Sequence, residues 1–331
     1  MASTPNKEIV SNVPDFINVY SDGTIERLND MPIVPPSPQD PKTGVSSKDI
    51  LISNDPSLFA RLFLPKLSNQ NQKIPILVYF HGGAFCCESP FASHHHNICN
   101  LVASQGNVLV FSIEYRKAPE HFLPTMFDDC WFGLNWVASH NTTLEDVPIN
   151  SDPWILNHGD FNKVFLGGDS AGANVVHTMA IRAGAEKLPF GVKIFGAYMN
   201  HPFFWGSKSL GFEKVEQYEK VNEFAHLLWE FVYPNAPNGI DNPMLNPMSP
   251  YAPDLSTLGC SKMLITVAGN DPYKDSAVMY YEAVKESDWN GEVELFEEED
   301  EGHVYYIFST ESEKGKKLIK LVADFLLKCK N

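Results

Sequence analysis

The chain has 331 residues, of which 44% are hydrophobic, and its formal net charge is −16. This composition supports a large buried core, and the acidic balance argues against nucleic acid and anionic membrane surfaces as partners. No apolar segment is long enough to span a bilayer, and the N-terminus lacks a basic-then-apolar signal pattern. The six cysteines show no metal-binding spacing and suit a reducing compartment, so we expect a cytoplasmic protein.

Residues 1–50 are rich in proline and asparagine, which excludes a long helix and predicts an arm or lid. From residue 51 onward, apolar segments of strand length alternate with segments of helical periodicity. The predicted strands are 57–64, 74–80, 108–113, 163–166, 192–198, 262–267 and 292–296. The predicted helices are 93–105 (with Gly106 as C-cap), 126–140, 171–185, 215–231 and 314–329. This alternation predicts an α/β fold with a mostly parallel central sheet flanked by helices.

Residues 200–260 interrupt the alternation with one helical segment and a loop rich in proline and asparagine. An insertion of this size between two strands predicts a cap over the carboxyl ends of the strands, where open α/β sheets bind ligands. We therefore expect an arm at 1–50 and a catalytic domain at 51–331 that carries the cap insertion 200–260.

Ser170 lies between a predicted strand and a predicted helix, in the run Gly168-Asp169-Ser170-Ala171-Gly172. This is the G-x-S-x-G pattern. Its sharp turn leaves room only for glycine two residues before and two residues after the serine, and it exposes the serine as a nucleophile. Taken alone, the pattern fits an ordinary glycine-rich loop with a serine helix cap equally well.

A nucleophilic serine requires donors for the negative oxygen that forms on the substrate. The segment His81-Gly82-Gly83-Ala84-Phe85 follows the strand predicted at 74–80, where backbone N–H groups can serve this purpose. The alternative is a plain strand-to-helix turn. We predict an oxyanion hole from Gly82, Gly83, Ala84 and Ala171, and a substrate pocket that includes Phe85 and Asp169.

Of the eleven histidines, only His303 follows the last predicted strand and precedes the last predicted helix, which is the place expected for a general base. Asp271 follows the preceding strand and is the candidate acid that orients it, whereas we interpret Asp275 as a helix N-cap. The consecutive histidines 94–96 are interpreted as surface or cap residues, and His201 has no matching context.

These segments resemble the hormone-sensitive-lipase-like branch of the α/β hydrolases, and within it the plant carboxylesterases. The resemblance runs over nearly the whole chain and is carried by Phe16–Arg27, His81-Gly82-Gly83, Glu114–His121, Gly168–Gly172, Asp271 and Gly302-His303. It implies an α/β-hydrolase fold, a Ser170–His303–Asp271 triad and a small-molecule ester substrate. Such a mechanism uses no metal and no cofactor, and we expect a monomer. Ala84 departs from the family pattern, which has a third glycine there.

Two alternatives resemble the same branch. The gibberellin receptor is a binding protein that keeps the serine and the aspartate but replaces the histidine, so His303 favours an enzyme. Isoflavanone dehydratases are lyases with similar machinery, and the sequence separates them poorly from esterases. A further hypothesis concerns the five acids at 297–301, which form either a solvated loop or a field that acts on His303.

Overall fold

The computed structural model describes residues 7–142, 150–208 and 215–328. The strands are β1 (Ile9–Val13), β2 (Ile17–Tyr20), β3 (Ile25–Arg27), β4 (Ser46–Asn54), β5 (Ser57–Leu64), β6 (Ile74–Phe80), β7 (Leu109–Glu114), β8 (Gly159–Asp169), β9 (Ile194–Asn200), β10 (Lys262–Ala268) and β11 (Glu292–Glu298). The α-helices are α1 (Ser93–Gly106), α2 (Thr125–Ala138), α3 (Pro153–His158), α4 (Ala171–Ala185), α5 (Val215–Val232), α6 (Lys274–Glu286), α7 (Tyr305–Phe308) and α8 (Glu313–Leu327). Short 3-10 helices cover Pro189–Gly191, Gly239–Asp241 and Leu255–Thr257. None of these described helices is both long and apolar enough to cross a bilayer.

The main sheet has eight strands in the order β11-β10-β9-β8-β6-β7-β5-β4. The six strands from β11 to β7 run parallel, whereas β5 pairs antiparallel with both β7 and β4 at one edge. The chain passes from β6 to β7 on one side and then returns to β8 on the other side. The carboxyl ends of β6 and β8 therefore flank the switch point of the sheet, where α/β folds bind ligands.

Strand β6 illustrates why the sheet is covered by helices on both faces. Ile76, Val78 and Phe80 belong to one hydrophobic core and Leu77 and Tyr79 to the other, and all five are almost fully buried. Successive side chains of a strand point to opposite faces, so a strand covered on both faces is apolar throughout. Helix α4 packs into the first core and helix α8 into the second.

Each predicted strand and helix is present, with ends that differ by a few residues. The C-cap prediction for Gly106 is wrong: Gly106 is the last residue of α1, and Asn107 adopts the left-handed conformation with φ 45°. Asparagine tolerates this conformation better than most residues, which makes it an alternative cap. The last helix ends at Leu327, and Cys329, at which it was predicted to end, lies outside the described residues.

Much of the predicted arm folds into a small antiparallel sheet in the order β1-β2-β3. The strand β4 lies instead at the edge of the main sheet and runs through residue 50. The prediction that the arm ends at residue 50 is therefore wrong, because the main sheet already begins at Ser46. The pairing of β4 with β5 could not be recognised from the proline-rich composition of the segment before it.

Arg27 anchors the small sheet to the catalytic domain. Its Nε donates to the carbonyl oxygen of Cys86 at 2.6 Å, and one terminal nitrogen donates to the carbonyl oxygen of Ala118 at 3.2 Å. The guanidinium also binds both carboxylate oxygens of Glu120, at 3.0 and 2.6 Å. The side chain is 17% exposed, so these contacts are largely shielded from water. A bidentate, partly buried arginine of this kind fixes orientation as well as position.

Helix α5, the helical part of the insertion, packs against the arm. The rings of Phe16 in the arm and Phe224 in α5 lie 5.5 Å apart between centroids. Leu228 of α5 is buried, and Trp229 donates from its indole nitrogen to the Gly239 carbonyl oxygen at 2.9 Å. Two segments that are distant in sequence thus form one continuous layer.

We expect Arg27→Ala to lower the free energy of unfolding by about 1–3 kcal/mol, because it leaves the Cys86 carbonyl without its charged donor. Urea titration followed by far-UV circular dichroism measures this loss. Lys42→Ala is the control in the same arm, since Lys42 is 84% exposed and lies 3.9 Å from Glu311. An equal effect of the two substitutions would show that Arg27 does not anchor the arm.

Candidate active site

Ser170 occupies the sharp turn between β8 and α4. Its backbone angles are φ 52° and ψ −119°, a conformation that costs roughly 1–3 kcal/mol for a residue with a side chain. A Cβ on Gly168 would lie 2.5 Å from the carbonyl oxygen of Gly172, and a Cβ on Gly172 would lie 2.0 Å from that of Phe80. Both positions therefore require glycine, and the turn places Ser170 on the wall of a cavity.

A chain of hydrogen bonds joins the three predicted residues of the triad. Nε2 of His303 lies 2.8 Å from Oγ of Ser170, and Nδ1 of His303 lies 2.7 Å from Oδ2 of Asp271. The three residues follow three parallel strands, β8, β10 and β11. The side chain of Asp271 is 1% exposed and that of His303 is 23% exposed, so the acid is buried and the base is accessible.

Both carboxylate oxygens of Asp271 have partners. Oδ1 accepts the backbone N–H of Tyr273 at 2.8 Å, and Oδ2 faces His303 and also lies 3.2 Å from Nδ1 of His201. Burial alone would oppose ionisation, but the interaction with His303 outweighs it and holds the pKa of Asp271 well below its usual range. Asp271 therefore remains a carboxylate that keeps the proton of His303 on Nδ1 and leaves Nε2 to face Ser170.

His201, for which the sequence context indicates no role, lies next to this chain of hydrogen bonds. It directly follows β9 and is buried, and its Nδ1 accepts the backbone N–H of Val304 at 3.1 Å. Burial lowers the pKa of His201, which keeps the imidazole neutral and able to accept. His201 thereby positions the segment that carries His303. The sequence feature that could have indicated a role for His201 is its position directly after β9, the strand next to β8, which leads into Ser170.

Among the described residues, the side chains of His201, Asp271 and His303 form a group that could bind a metal ion. Their ligand atoms lie within 4.8 Å of one another. Both nitrogens of His303 and Nδ1 of His201 already make hydrogen bonds to Ser170, Asp271 and the Val304 backbone. A cation here would compete with each of these bonds, so the donor set suits proton transfer better than metal binding.

The turn after β6 has an unusual backbone that forms the other side of the site. Gly83 has φ 113°, and a Cβ there would lie 2.3 Å from the carbonyl oxygen of Cys87. Ala84 follows with φ 53°. The ring of His81 stacks on Tyr115 at 4.2 Å, and the Tyr115 hydroxyl donates to the His81 carbonyl oxygen at 2.6 Å. These two contacts with Tyr115, which is buried in the core, hold the turn in place.

For three of the four residues predicted to donate to a negative oxygen, the structure is compatible with that prediction. Gly83 and Ala84 line the cavity together with Ser170. Ala171 is the first residue of α4, so its N–H has no partner within the helix and lies at the positive end of the helix dipole. Gly82 differs from the prediction, because its backbone N–H bonds to the carboxyl group of Asp169.

Asp169 lines the cavity, as the sequence analysis predicts, although it is 2% exposed. It accepts a hydrogen bond from the hydroxyl of Tyr79. Burial raises the pKa of Asp169 to about 7, against the opposing effect of its hydrogen bonds with Tyr79 and the Gly82 backbone. Asp169 thus stands behind the turn that carries Gly83 and Ala84.

The prediction that Phe85 lines the pocket is wrong. Phe85 is fully buried, and its ring packs against those of Phe127, Phe203 and Trp229 at centroid distances of 6.4, 5.9 and 6.1 Å. Ala84 and Phe85 both have positive φ angles, and this pair of left-handed residues turns the Phe85 side chain into the core. Phe203 contributes to the cavity wall in its place.

The cavity beside Ser170 has a volume of about 410 Å³ and mostly apolar walls. Both segments that were predicted as a cap contribute to it. The arm and helix α5 supply the apolar side chains of Phe16, Leu28, Met31, Phe224 and Leu228. Such a wall excludes water from much of the cavity and favours uncharged, hydrophobic ligands.

The consecutive histidines at the start of α1 are not all surface residues, contrary to the expectation. His94 and His95 line the cavity, and His95 is 2% exposed. Burial lowers the pKa of His95 to about 3, so it is neutral. Nδ1 of His96 lies 3.1 Å from a terminal nitrogen of Arg61. Because these three histidines are consecutive in the sequence, their different environments could not be recognised from it.

The structure also bears on two statements about acidic residues. Asp275 is not an N-cap: Tyr273 precedes α6, and Asp275 lies in the first turn of that helix.

Three of the five acidic residues in the run 297–301 form ion pairs with lysines, which reduces the negative electrostatic field of the run at His303. Its ion pairs join Glu297 to Lys274, Glu298 to Lys317 and Glu301 to Lys314.

Comparison with known proteins agrees with this architecture. Residues 77–307 match the family described as having the alpha/beta hydrolase fold. The chain is 53% identical to a 2-hydroxyisoflavanone dehydratase of Glycyrrhiza echinata over 98% of both chains, and 39% identical to probable carboxylesterase 3 of Arabidopsis thaliana over 94% of this chain and 96% of that one. A hyperthermophilic esterase from Pyrobaculum calidifontis superposes with a TM-score of 0.67 at 23% identity over 85% of both chains. The chain thus belongs to the α/β-hydrolase family, in its hormone-sensitive-lipase-like plant carboxylesterase branch.

Proposed function

We propose that this protein is a serine carboxylesterase that hydrolyses uncharged carboxylic esters of modest size. The observation that carries the proposal is the hydrogen-bonded chain from Ser170 through His303 to the buried carboxylate of Asp271. A serine hydroxyl is a weak nucleophile unless a base lies within hydrogen-bond distance and a third group orients that base. This arrangement fulfils both requirements.

The reaction proceeds in two halves. His303 Nε2 accepts the proton of Ser170 while Oγ attacks the ester carbonyl carbon, and Asp271 stabilises the imidazolium that forms. The N–H groups of Gly83, Ala84 and Ala171 hold the oxygen that becomes negative. His303 then protonates the departing alcohol, which leaves an acyl group on Ser170. Water repeats the sequence, activated by His303, and releases the carboxylic acid.

The walls of the cavity support uncharged substrates. Apolar side chains from the arm and α5 line the cavity, and Asp30, which lines it as well, disfavours an anion. The net charge of −16 acts in the same direction at longer range. A hemisuccinate ester is therefore a poorer substrate than a neutral ester of equal length.

Dehydration of a 2-hydroxyisoflavanone-type ketone is a second candidate function. It is favoured by the 53% identity to a relative of that name. The same groups suffice for such a reaction, since His303 can remove a proton next to a ketone while the turn at Gly83 and Ala84 holds the ketone oxygen. A receptor role is disfavoured by His303, because the gibberellin receptor, which resembles the same branch, replaces that histidine.

We expect Ser170→Ala to lower kcat for 4-nitrophenyl butyrate by at least about 10⁴-fold. The melting temperature should stay within error of the wild type, because the Ser170 side chain makes no helix-capping hydrogen bond. A phosphorylating organophosphate should label Ser170 alone, as read by peptide mass mapping. A label on another serine would show that the nucleophile lies elsewhere.

Asp271→Asn should lower kcat for the same ester by about 10⁴-fold, since an amide favours the wrong tautomer of His303. Asp275→Asn is the matched control, because Asp275 lies in the first turn of α6 and contributes about 1 kcal/mol or less to stability. Steady-state kinetics and thermal melts of both variants test the assignment. Equal kinetic losses would contradict it.

Ala84→Gly should retain ester hydrolysis and admit bulkier acyl groups. Glycine keeps the backbone N–H and adopts φ 53° without steric cost, and it removes a methyl group from the cavity wall. The measurement is kcat/KM for a series of 4-nitrophenyl esters of increasing acyl branching. A loss of more than about 10²-fold for the smallest ester, the scale of a missing oxyanion donor, would contradict this account of Ala84.

A further inference from the structure

Three of the polar side chains in the cavity beside Ser170 form a cluster that ester hydrolysis does not use. They are Glu88, His95 and Asp169, and all three line the cavity. Nε2 of His95 lies 3.9 Å from Oε2 of Glu88, and Nδ1 of His95 lies 3.9 Å from Oδ1 of Asp169. Their side chains are 13, 3 and 2% exposed, in the order Glu88, His95, Asp169.

Glu88 lies directly beside the turn that holds the substrate oxygen. A Cβ placed on Gly83 would be 2.9 Å from Cβ of Glu88. The backbone of Glu88 has φ 66°, and its N–H donates to Oδ1 of Asp30 in the arm at 2.6 Å. A glutamate fixed in this left-handed conformation between the turn and the arm has little freedom to move away from the cavity.

Two atoms of this cluster have no hydrogen-bond partner among the described residues: Oε2 of Glu88 and Nδ1 of His95. A buried polar atom without a partner costs free energy, so such atoms mark places where a ligand supplies the missing bond. Both atoms belong to residues that line the same cavity as Ser170. Both atoms are themselves shielded, and the polar contact next to the oxyanion turn is offered by the part of the Glu88 side chain that remains 13% exposed.

The surroundings of Glu88 favour its protonated form. Burial is the main cause that raises the pKa of Glu88 to about 7, with Asp30 and Asp169 acting in the same direction and Lys117 and the Met31 backbone opposing them. His95 is neutral, since burial lowers its pKa to about 3, and it provides no balancing positive charge. Near neutral pH, a substantial fraction of Glu88 is a carboxylic acid that can donate a proton.

We propose that Glu88 is a catalytic acid that protonates the departing hydroxyl group when this site eliminates water from a β-hydroxy ketone. The inference rests on the second candidate function above. The substrate class is that of the second candidate function: its ketone oxygen would lie at the N–H groups of Gly83 and Ala84, and its hydroxyl group would face Glu88, which lies beside Gly83.

The elimination balances without any redox partner. His303 Nε2 takes the proton from the carbon between the ketone and the hydroxyl-bearing carbon. The electron pair of that C–H bond forms the new C=C bond, either directly or through an enolate, while the C–O bond breaks. The proton of Glu88 passes to the leaving oxygen, and water departs. Proton exchange with solvent restores neutral His303 and protonated Glu88.

The test compares the wild type, Glu88→Gln and the control Glu223→Gln, whose site is exposed on α5. The substrates are 2-hydroxyisoflavanone, 2-(4-nitrophenoxy)isoflavanone and 4-nitrophenyl butyrate. The first two give the same isoflavone, but 4-nitrophenolate leaves without needing a proton. Rates are expressed per site labelled by an organophosphate, so a misfolded fraction does not count.

We expect Glu88→Gln to slow elimination of water by about 10²-fold and elimination of 4-nitrophenolate by less than about fivefold, while Glu223→Gln changes neither. In the wild type, elimination of water should fall above pH 7 as Glu88 ionises, and elimination of 4-nitrophenolate should not. Equal losses for both leaving groups, or no elimination by the wild type, would overturn the role of Glu88. Absence of ester hydrolysis alone would instead overturn the esterase proposal.

Discussion

The close approach of helix α4 to strand β6 is the constraint on which the site depends. Gly172 packs so tightly against the carbonyl oxygen of Phe80 that no other residue fits there. This contact holds the first N–H groups of α4 beside the turn that follows β6. Ser170, in the strained turn before α4, and the N–H groups proposed to hold a negative oxygen are therefore positioned by the same packing. The remaining two residues, Asp271 and His303, need only follow neighbouring strands.

Ester hydrolysis and elimination of water place related demands on such a site. Both require a base, and both form a negative charge on a carbonyl oxygen that the same N–H groups stabilise. The two reactions differ in the leaving group. In ester hydrolysis it is an alcohol that His303 itself would protonate, and in elimination it is a hydroxyl group that another acid must protonate. The geometry around His303 serves the first case, and the cluster of Glu88, His95 and Asp169 provides the chemistry that the second would need.

The sequence predicted the fold and the positions of Ser170, Asp271 and His303 because these features depend on local patterns. Strand-length apolar segments, the glycines around Ser170 and the order of polar residues at strand ends are visible without coordinates. His201, His95 and Glu88 were missed because their environments arise only when separate elements pack together. The prediction for Phe85 failed for a different reason. The chain reverses at Ala84 and Phe85 through two consecutive positive φ angles, and neither alanine nor phenylalanine predicts such angles.

Part of the apolar cavity wall comes from the arm and helix α5, neither of which carries a residue of the proposed triad. Substitutions at Phe16, Leu28 or Phe224 can therefore reshape the cavity without disturbing the elbow at Ser170 or the strand ends that carry Asp271 and His303. Residues that line the cavity can thus change while Ser170, Asp271 and His303 keep their positions. In evolutionary terms, this division lets one scaffold acquire new substrates by a few changes in its covering layer.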